Sequence, residues 1–285
     1  MPHSPIPRSW RSLSGLPLEG TRVTREAHID DAGVDRKEPF FVVAGVVTNP
    51  DIHDAKIEDA MFAISKALRP DKPFVRLHAC DIWQGSEEFS SKKYSECANV
   101  NDRRAKIDQL IDLIGEHKAP VVFGICDKKN VWITPKHNRL PGRDYVDDVE
   151  VVAHAQAHLS CSVRLEYWMR KNLPNEVARM IHEDIPRKKL PIEIAYNFCR
   201  DPDTSVVPVG WEPPISGMTP FVKIRGQLRW ASPFGERMLQ LADVCAFVIS
   251  RYIRGHKNIE GVFNRLRPFL VLPDKVDALH LSGES

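Results

Sequence analysis

Apolar and polar positions along the chain follow two alternating periods. Residues 22 to 30 read as a strand that ends at the paired aspartates of HIDDAG, Asp30 and Asp31. FFVVAGVV, Phe40 to Val47, is apolar on both faces, as in the middle of a sheet, and predicts a strand over 40 to 48. The linking AGVDRKEP is short and turn-rich, so the two strands are expected to form an antiparallel hairpin. A helical period takes over from 53 to 68, where Ile57, Ala60, Met61, Ile64, Ala67 and Leu68 share one face, and Pro70 and Pro73 end it. FVRLHACDI, 74 to 82, reads as a strand or extended segment. Further elements are expected as a helix over 102 to 117, a strand over 120 to 126, a helix over 146 to 172 and a strand over 177 to 182 ending in Glu183 and Asp184. After them come a helix over 186 to 199, a loop over 201 to 220 carrying five prolines, and a short strand, FVKIR, over 221 to 225. A last helix is expected to be capped by Ser232, to hold Pro233 in its first turn and to end at Gly255.

Strands and helices that alternate after an opening hairpin predict one α/β domain with a mixed sheet, over residues 21 to 272. A flexible tail is expected at 1 to 20 and a loose one at 273 to 285. The 285 residues are 42% hydrophobic and 27% charged, an ordinary balance for a soluble globular protein. No apolar run approaches the ~20 residues of a membrane span. The first twenty residues are rich in Pro, Ser and Arg and lack an apolar h-region, so a cytoplasmic protein is expected. Cys80, Cys97, Cys126, Cys161, Cys199 and Cys245 are scattered without a CxxC pair and read as reduced thiols, mostly buried. No GxSxG and no GxxxxGK[ST] occurs, which leaves serine-hydrolase and nucleotide-driven chemistry without support.

The chemistry lies in carboxylates beside apolar runs. MLQLADVCAFVI, 238 to 249, is apolar almost all the way round, yet Asp243 stands in its middle. Such an acid either shares a solvent stripe with Gln240, pairs with an arginine such as Arg225, Arg229 or Arg237, or ligates a metal. Asp30 with Asp31, and Glu183 with Asp184, sit at strand ends, and strand ends in an α/β sheet converge where sites form. Acids gathered there repel one another. Magnesium or manganese relieves the repulsion, and two such ions would clamp a phosphodiester for attack by water. His78, in HACD, reads either as a core histidine or as a proton shuttle beside that site, and Asp81 as a cap for the next segment. Asp127, at the start of DKKN, reads as a solvated turn.

The order HIDDAG, FFVVAGVV, RLHACDI, a strand ending in an acid and then MLQLADVCAFVISR resembles family 3800 of the domains of unknown function, over about residues 25 to 255. The resemblance implies a ribonuclease H-like fold: a mixed sheet flanked by helices. It also implies a metal-dependent nuclease, in a family with members near phage and defence genes. LQLAD is the most specific motif. HIDDAG differs from the usual form in carrying Asp31 where Glu is common and Ala32 where Ser is common. Carried over, the resemblance implies Asp30 and Asp243 as metal ligands and Glu183 or Asp184 as the acid between them. Asp31 and His78 would lie nearby.

Charge changes the picture only locally. The net charge is +2, too small to argue for nucleic acid by itself. Between Phe221 and Lys257, however, seven Lys or Arg face only Glu236 and Asp243, and Arg187, Lys188 and Lys189 follow the strand-end acids directly. Arg225, Arg229, Arg237, Lys188 and Lys189 are the expected phosphate contacts, with Trp211 and Trp230 as candidates for base stacking. The expected function is therefore a two-metal nuclease acting on DNA or RNA. The alternatives are a non-catalytic nucleic-acid-binding protein on the same fold and a metal-dependent phosphoesterase of small substrates.

Overall fold

β1 (Arg22–Ala32) pairs antiparallel with β2 (Phe40–Thr48), which sets Asp30 opposite Ala44 and Glu26 opposite Thr48. In this computed structural model, residues 22–33, 37–86, 99–131, 149–201 and 217–272 are described. Gly33 ends β1 at a φ of +85°, and a Cβ there would lie 2.1 Å from the Phe40 carbonyl oxygen, so the turn demands glycine. β3 (Val121–Asp127) joins β2 antiparallel, while β4 (Glu176–Glu183) runs parallel to β1 and β5 (Arg229–Ala231) parallel to β4. The sheet order is β3-β2-β1-β4-β5, a mixed five-stranded sheet with β1 at its centre.

One face of the sheet is covered by α1 (Ala55–Leu68), α2 (Ala79–Gln84), α3 (Val100–Glu116), α6 (Met238–Ile253) and α7 (Glu260–Leu266). Val42, Ala44 and Val46 of β2 meet Ile57, Leu110, Val244 and Phe263 there. The opposite face carries α4 (Val149–Asn172) and α5 (Pro186–Arg200), with Ala27, Ile29 and Val43 against Ala157, Cys161 and Tyr196. The alternation of β1 and β2 is read out directly: odd and even positions feed two separate cores. α4 lies so close to β3 that a Cβ at Gly124 would fall 1.8 Å from the Ala157 carbonyl oxygen.

Four local expectations are corrected. FVKIR forms no named strand; only an isolated bridge joins Ala178 to Ile224. The reason is Glu166, a fully buried carboxylate of α4 that accepts the backbone N–H groups of Val222, Lys223 and Ile224 and an Arg170 hydrogen bond. The last strand is Arg229–Ala231 instead. Residues 74–78 are extended without ladder pairing, and helix begins at Ala79, so HACD is a helix start rather than strand. Asp81 sits inside that helix's first turn and does not cap it. α6 begins at Met238 with no side-chain cap, because the Ser232 carbonyl takes the Gly235 and Glu236 N–H groups in a turn of its own. Gly255, at φ +77°, stands just past its end, as expected.

Other element boundaries shift by a few residues. A five-residue π turn, Pro50–Asp54, precedes α1. Asp127 accepts from Lys129 N–H in the turn expected there. Cys126, Cys161, Cys199 and Cys245 are buried free thiols and Cys80 is a half-buried one. No described helix is long and apolar enough to cross a membrane. Residues 1–20, 202–216 and 273–285, with Cys97 and Trp211, lie outside the described residues.

Candidate metal centre

Glu26, His28 and Asp30 alternate along β1 and point to the α6 face, whereas Ala27, Ile29 and Asp31 point to the α4 face. Asp30 is 5% exposed, and its Oδ1 accepts the Asp31 N–H at 2.8 Å. α6 crosses this face and brings Asp243, 7% exposed, towards it. Asp243 Oδ2 accepts the Ala79 N–H at 2.7 Å. One turn earlier, buried Gln240 accepts the Leu77 N–H at 2.7 Å and donates to the Pro233 carbonyl at 2.6 Å. Gln240 and Asp243 thus hold segment 77–79 against α6, and this is the physical content of the LQLAD motif. A solvent stripe and a direct arginine pair for Asp243 are both excluded by this geometry.

β4 supplies the third acid. His182 pairs with Ile29 across the parallel ladder, so the next residue, Glu183, stands beside Asp30. Glu183 Oε1 accepts from Arg76 at 2.9 Å. Asp184 turns away: it is exposed and pairs with Lys189 at 2.8 Å. Between these two acids, the fold brings Glu183 to Asp30 and Asp243.

Electrostatics record the convergence. Burial, followed by Asp243, Asp31 and Glu183, pushes the Asp30 carboxyl well above the usual carboxylate range. Burial pushes Asp243 up to about 6, with Glu183 adding to it, while His78, the Ala79 N–H and Arg76 oppose. Among the described residues, each acid nonetheless keeps one oxygen free of protein hydrogen bonds. These are Asp30 Oδ2, Glu183 Oε2 and Asp243 Oδ1, the last facing His78 Nε2 at 3.9 Å. Crowded, buried and half-satisfied carboxylates fit hard divalent cations. Their spacing is wider than a single-ion cage: among the described residues, Glu26, His28 and Asp54 are the group whose ligand atoms all lie within 4.8 Å of one another.

His78 is 38% exposed in its side chain, at the start of α2, with Nδ1 3.0 Å from Asp81 Oδ2. It is therefore an accessible imidazole oriented by a carboxylate, not a core histidine. Asp31 goes elsewhere. It meets His154 of α4 at 3.3 Å on the far face of the sheet. Beside that pair, His158 Nε2 and His182 Nε2 are 2.7 Å apart, and the His182 ring packs on Trp230. Burial, with His154 adding, pushes His158 down to about 3, so it is neutral at neutral pH. Sequence reading missed this buried chain, although His154 and His158 show helical spacing on an apolar helix.

The expected phosphate contacts divide. Arg225 is exposed. Arg229 pairs with Glu236 at 3.2 Å, Arg237 lies 4.7 Å over Phe74, and Lys189 is shared by Asp184 and the Trp230 ring. Trp230 donates Nε1–H to Glu193 and is held in place rather than offered for stacking. The Lys188 side chain lies outside the described residues. Arg76, beside Glu183, is a cation that sequence reading did not single out. No family model, curated protein or solved structure matches the chain.

Proposed function

We propose that the protein is a magnesium- or manganese-dependent nuclease of ribonuclease H-like fold, with Asp30, Glu183 and Asp243 as the metal-holding acids. One observation carries this reading. Acids from β1, β4 and α6 converge on one side of the sheet, each with an oxygen left free among the described residues, and burial, with Asp243, Asp31 and Glu183 adding to it, pushes the Asp30 carboxyl upward. The mixed sheet that opens with an antiparallel hairpin supports the fold assignment. Bound divalent ions would neutralise phosphate charge, activate a water and stabilise the leaving oxygen.

The chain's own groups do the rest. The Gln240 and Asp243 acceptors fix segment 77–79 and so place His78 at the mouth of the site. His78, oriented by Asp81, takes or delivers a proton at Nε2. Arg76 orients Glu183 and adds positive charge where phosphate oxygens arrive. Exposed Arg225 offers a backbone contact to DNA or RNA.

A small-substrate phosphoesterase is the second reading. It is favoured by the internal engagement of Arg229, Arg237 and Lys189, which leaves less free positive charge for a long polyanion. Calorimetric titration of manganese into the wild type, Asp30→Asn and Asp243→Asn tests the site first. Binding that both variants lose supports it; equal binding by the variants overturns it. Hydrolysis of long polynucleotides, weakened at high salt, then supports the nuclease over the phosphoesterase.

A further inference from the structure

Arginines gather further along the helix that carries Asp243. Arg251 follows Asp243 in α6 by about 12 Å of helix axis, and Arg254 stands just past the helix end. Half-buried Cys80 of α2 feels the charges of Asp243, Arg251 and Arg254 together, so these arginines adjoin the Asp30 centre. Arg104 of α3 completes the group. The guanidinium carbons of Arg104 and Arg251 lie 4.5 Å and 5.5 Å from the centre of one ring, that of Trp83. Trp83 belongs to α2 and packs against Phe247 of α6.

These cations crowd without matching acids. Glu38 takes Arg254, and among the described residues no acid pairs with Arg104 or Arg251. The Nε–H of each is buried and meets no hydrogen-bond acceptor among the described residues. The Trp83 face attracts both cations but accepts none of their in-plane N–H groups. Burial, with the like charges of Arg254 and Arg104, holds Arg251 below the usual arginine range, against Cys80 and Glu38. Unused donors beside a like charge destabilise the free protein, and an arriving anion relieves both.

We propose that Arg104 and Arg251, backed by Arg254, bind a backbone phosphate of a nucleic-acid strand whose reacting phosphate lies at the Asp30 centre. The inference rests on the nuclease reading of that centre and adds the track along which the strand runs. Guanidiniums present planar forks that match phosphate oxygens. The ~12 Å from Asp243 to Arg251 spans a few nucleotides of a strand that rises about 3.4 Å for each. The arginines therefore hold a phosphate outside the reacting one, and a small phosphate ester does not reach both places. Such a contact sets position and carries no base readout.

The test is fluorescence anisotropy of labelled mixed-sequence DNA and RNA oligonucleotides, single-stranded and duplex, titrated with the full chain in chelator. The wild type should bind at least one of these probes. Arg104→Gln and Arg251→Gln should each weaken that binding at least ~fivefold and lower the salt slope by about one. They lie on different helices, so either decides the matter if the other does not fold. Arg265→Gln removes the same charge from a guanidinium already paired with Asp108 and Asp112, and should bind as the wild type does. No binding of any probe by the wild type, or wild-type affinity in both Arg104→Gln and Arg251→Gln, overturns the proposal. An equal loss in Arg265→Gln overturns it too, since net charge then accounts for the effect. So does displacement of the probe by inorganic phosphate at equal phosphate concentration, which assigns the arginines to a small anion. Manganese titration of the same variants keeps the two readings apart: both should bind manganese as the wild type does. A wild type that binds the strand in chelator but takes up no manganese supports the arginine site and overturns the nuclease.

Discussion

Asp30 and Asp31 are neighbours in the chain and lie on opposite faces of the sheet. Asp30 joins Asp243 and Glu183 under α6, and Asp31 meets His154 of α4 at 3.3 Å. The same substitution at the two positions should therefore have opposite effects. In metal-free protein, Asp30→Asn removes a buried, repelled charge and should stabilise by about 1–2 kcal/mol. It should also abolish stabilisation by manganese, which acts by binding the native state. Asp31→Asn should destabilise by about 1–3 kcal/mol and leave the manganese effect intact. Thermal unfolding with and without manganese measures both. Equal behaviour of the two variants would contradict the division of faces.

Glu183 and Asp184 should separate in the same way. Glu183→Gln alters an acid held beside Asp30 by Arg76 and should weaken manganese binding at least ~tenfold. Asp184→Asn breaks an exposed ion pair with Lys189, worth about 0–1 kcal/mol, and should leave manganese affinity unchanged. Titration calorimetry on the two variants decides which acid belongs to the centre.

Gln240→Leu removes the acceptor of the Leu77 N–H and the donor to Pro233. The backbone groups left behind should cost about 2–4 kcal/mol. His78 loses its fixed position as well, so hydrolysis should fall further than metal binding does. Urea unfolding and activity assays at saturating manganese separate these effects.

Glu166→Gln tests why FVKIR is not a strand. The buried carboxylate gathers three backbone N–H groups and Arg170, and a neutral amide weakens these bonds and leaves Arg170 held by the Gly217, Met218 and Pro220 carbonyls alone. A loss of about 2–4 kcal/mol is expected from urea unfolding. A change below about 1 kcal/mol would show that this network is not what organises residues 222–224.

His158 makes the protein acid-sensitive. Its pKa is about 3 in the fold, below the usual histidine value near 6.5. The unfolded chain therefore binds the extra proton first as pH falls. The stability contribution is full above about 6.5 and is lost progressively as pH falls towards 3, up to roughly 4–5 kcal/mol. His158→Gln should flatten the dependence of unfolding free energy on pH between about 7 and 4. An unchanged slope would assign the acid sensitivity to other groups.

Much of the architecture was legible from periodicity. The two-faced apolar run of β2 and the helical stripe of α1 are strong local patterns, and both formed where expected. FVKIR was not legible, because the group that captures its N–H groups is Glu166, more than fifty residues earlier in the chain. The start of α6 was misplaced for a local reason: Ser232 and Pro233 have cap chemistry, but their turn closes on itself before the helix begins.

The candidate site divides along the same line. The sequence by itself determined that acids stand at strand ends and inside an apolar helix, since a carboxylate among apolar residues is visible without any fold. It also determined the alternation along β1, from which the opposite facing of Asp30 and Asp31 follows. Only the tertiary structure decided which acids meet. Glu183 joins Asp30 because a parallel ladder sets β4 in register with β1, and Asp243 joins them because α6 packs across that face. Those are long-range packing choices, made by burial of two apolar cores, and no local pattern in the chain encodes them.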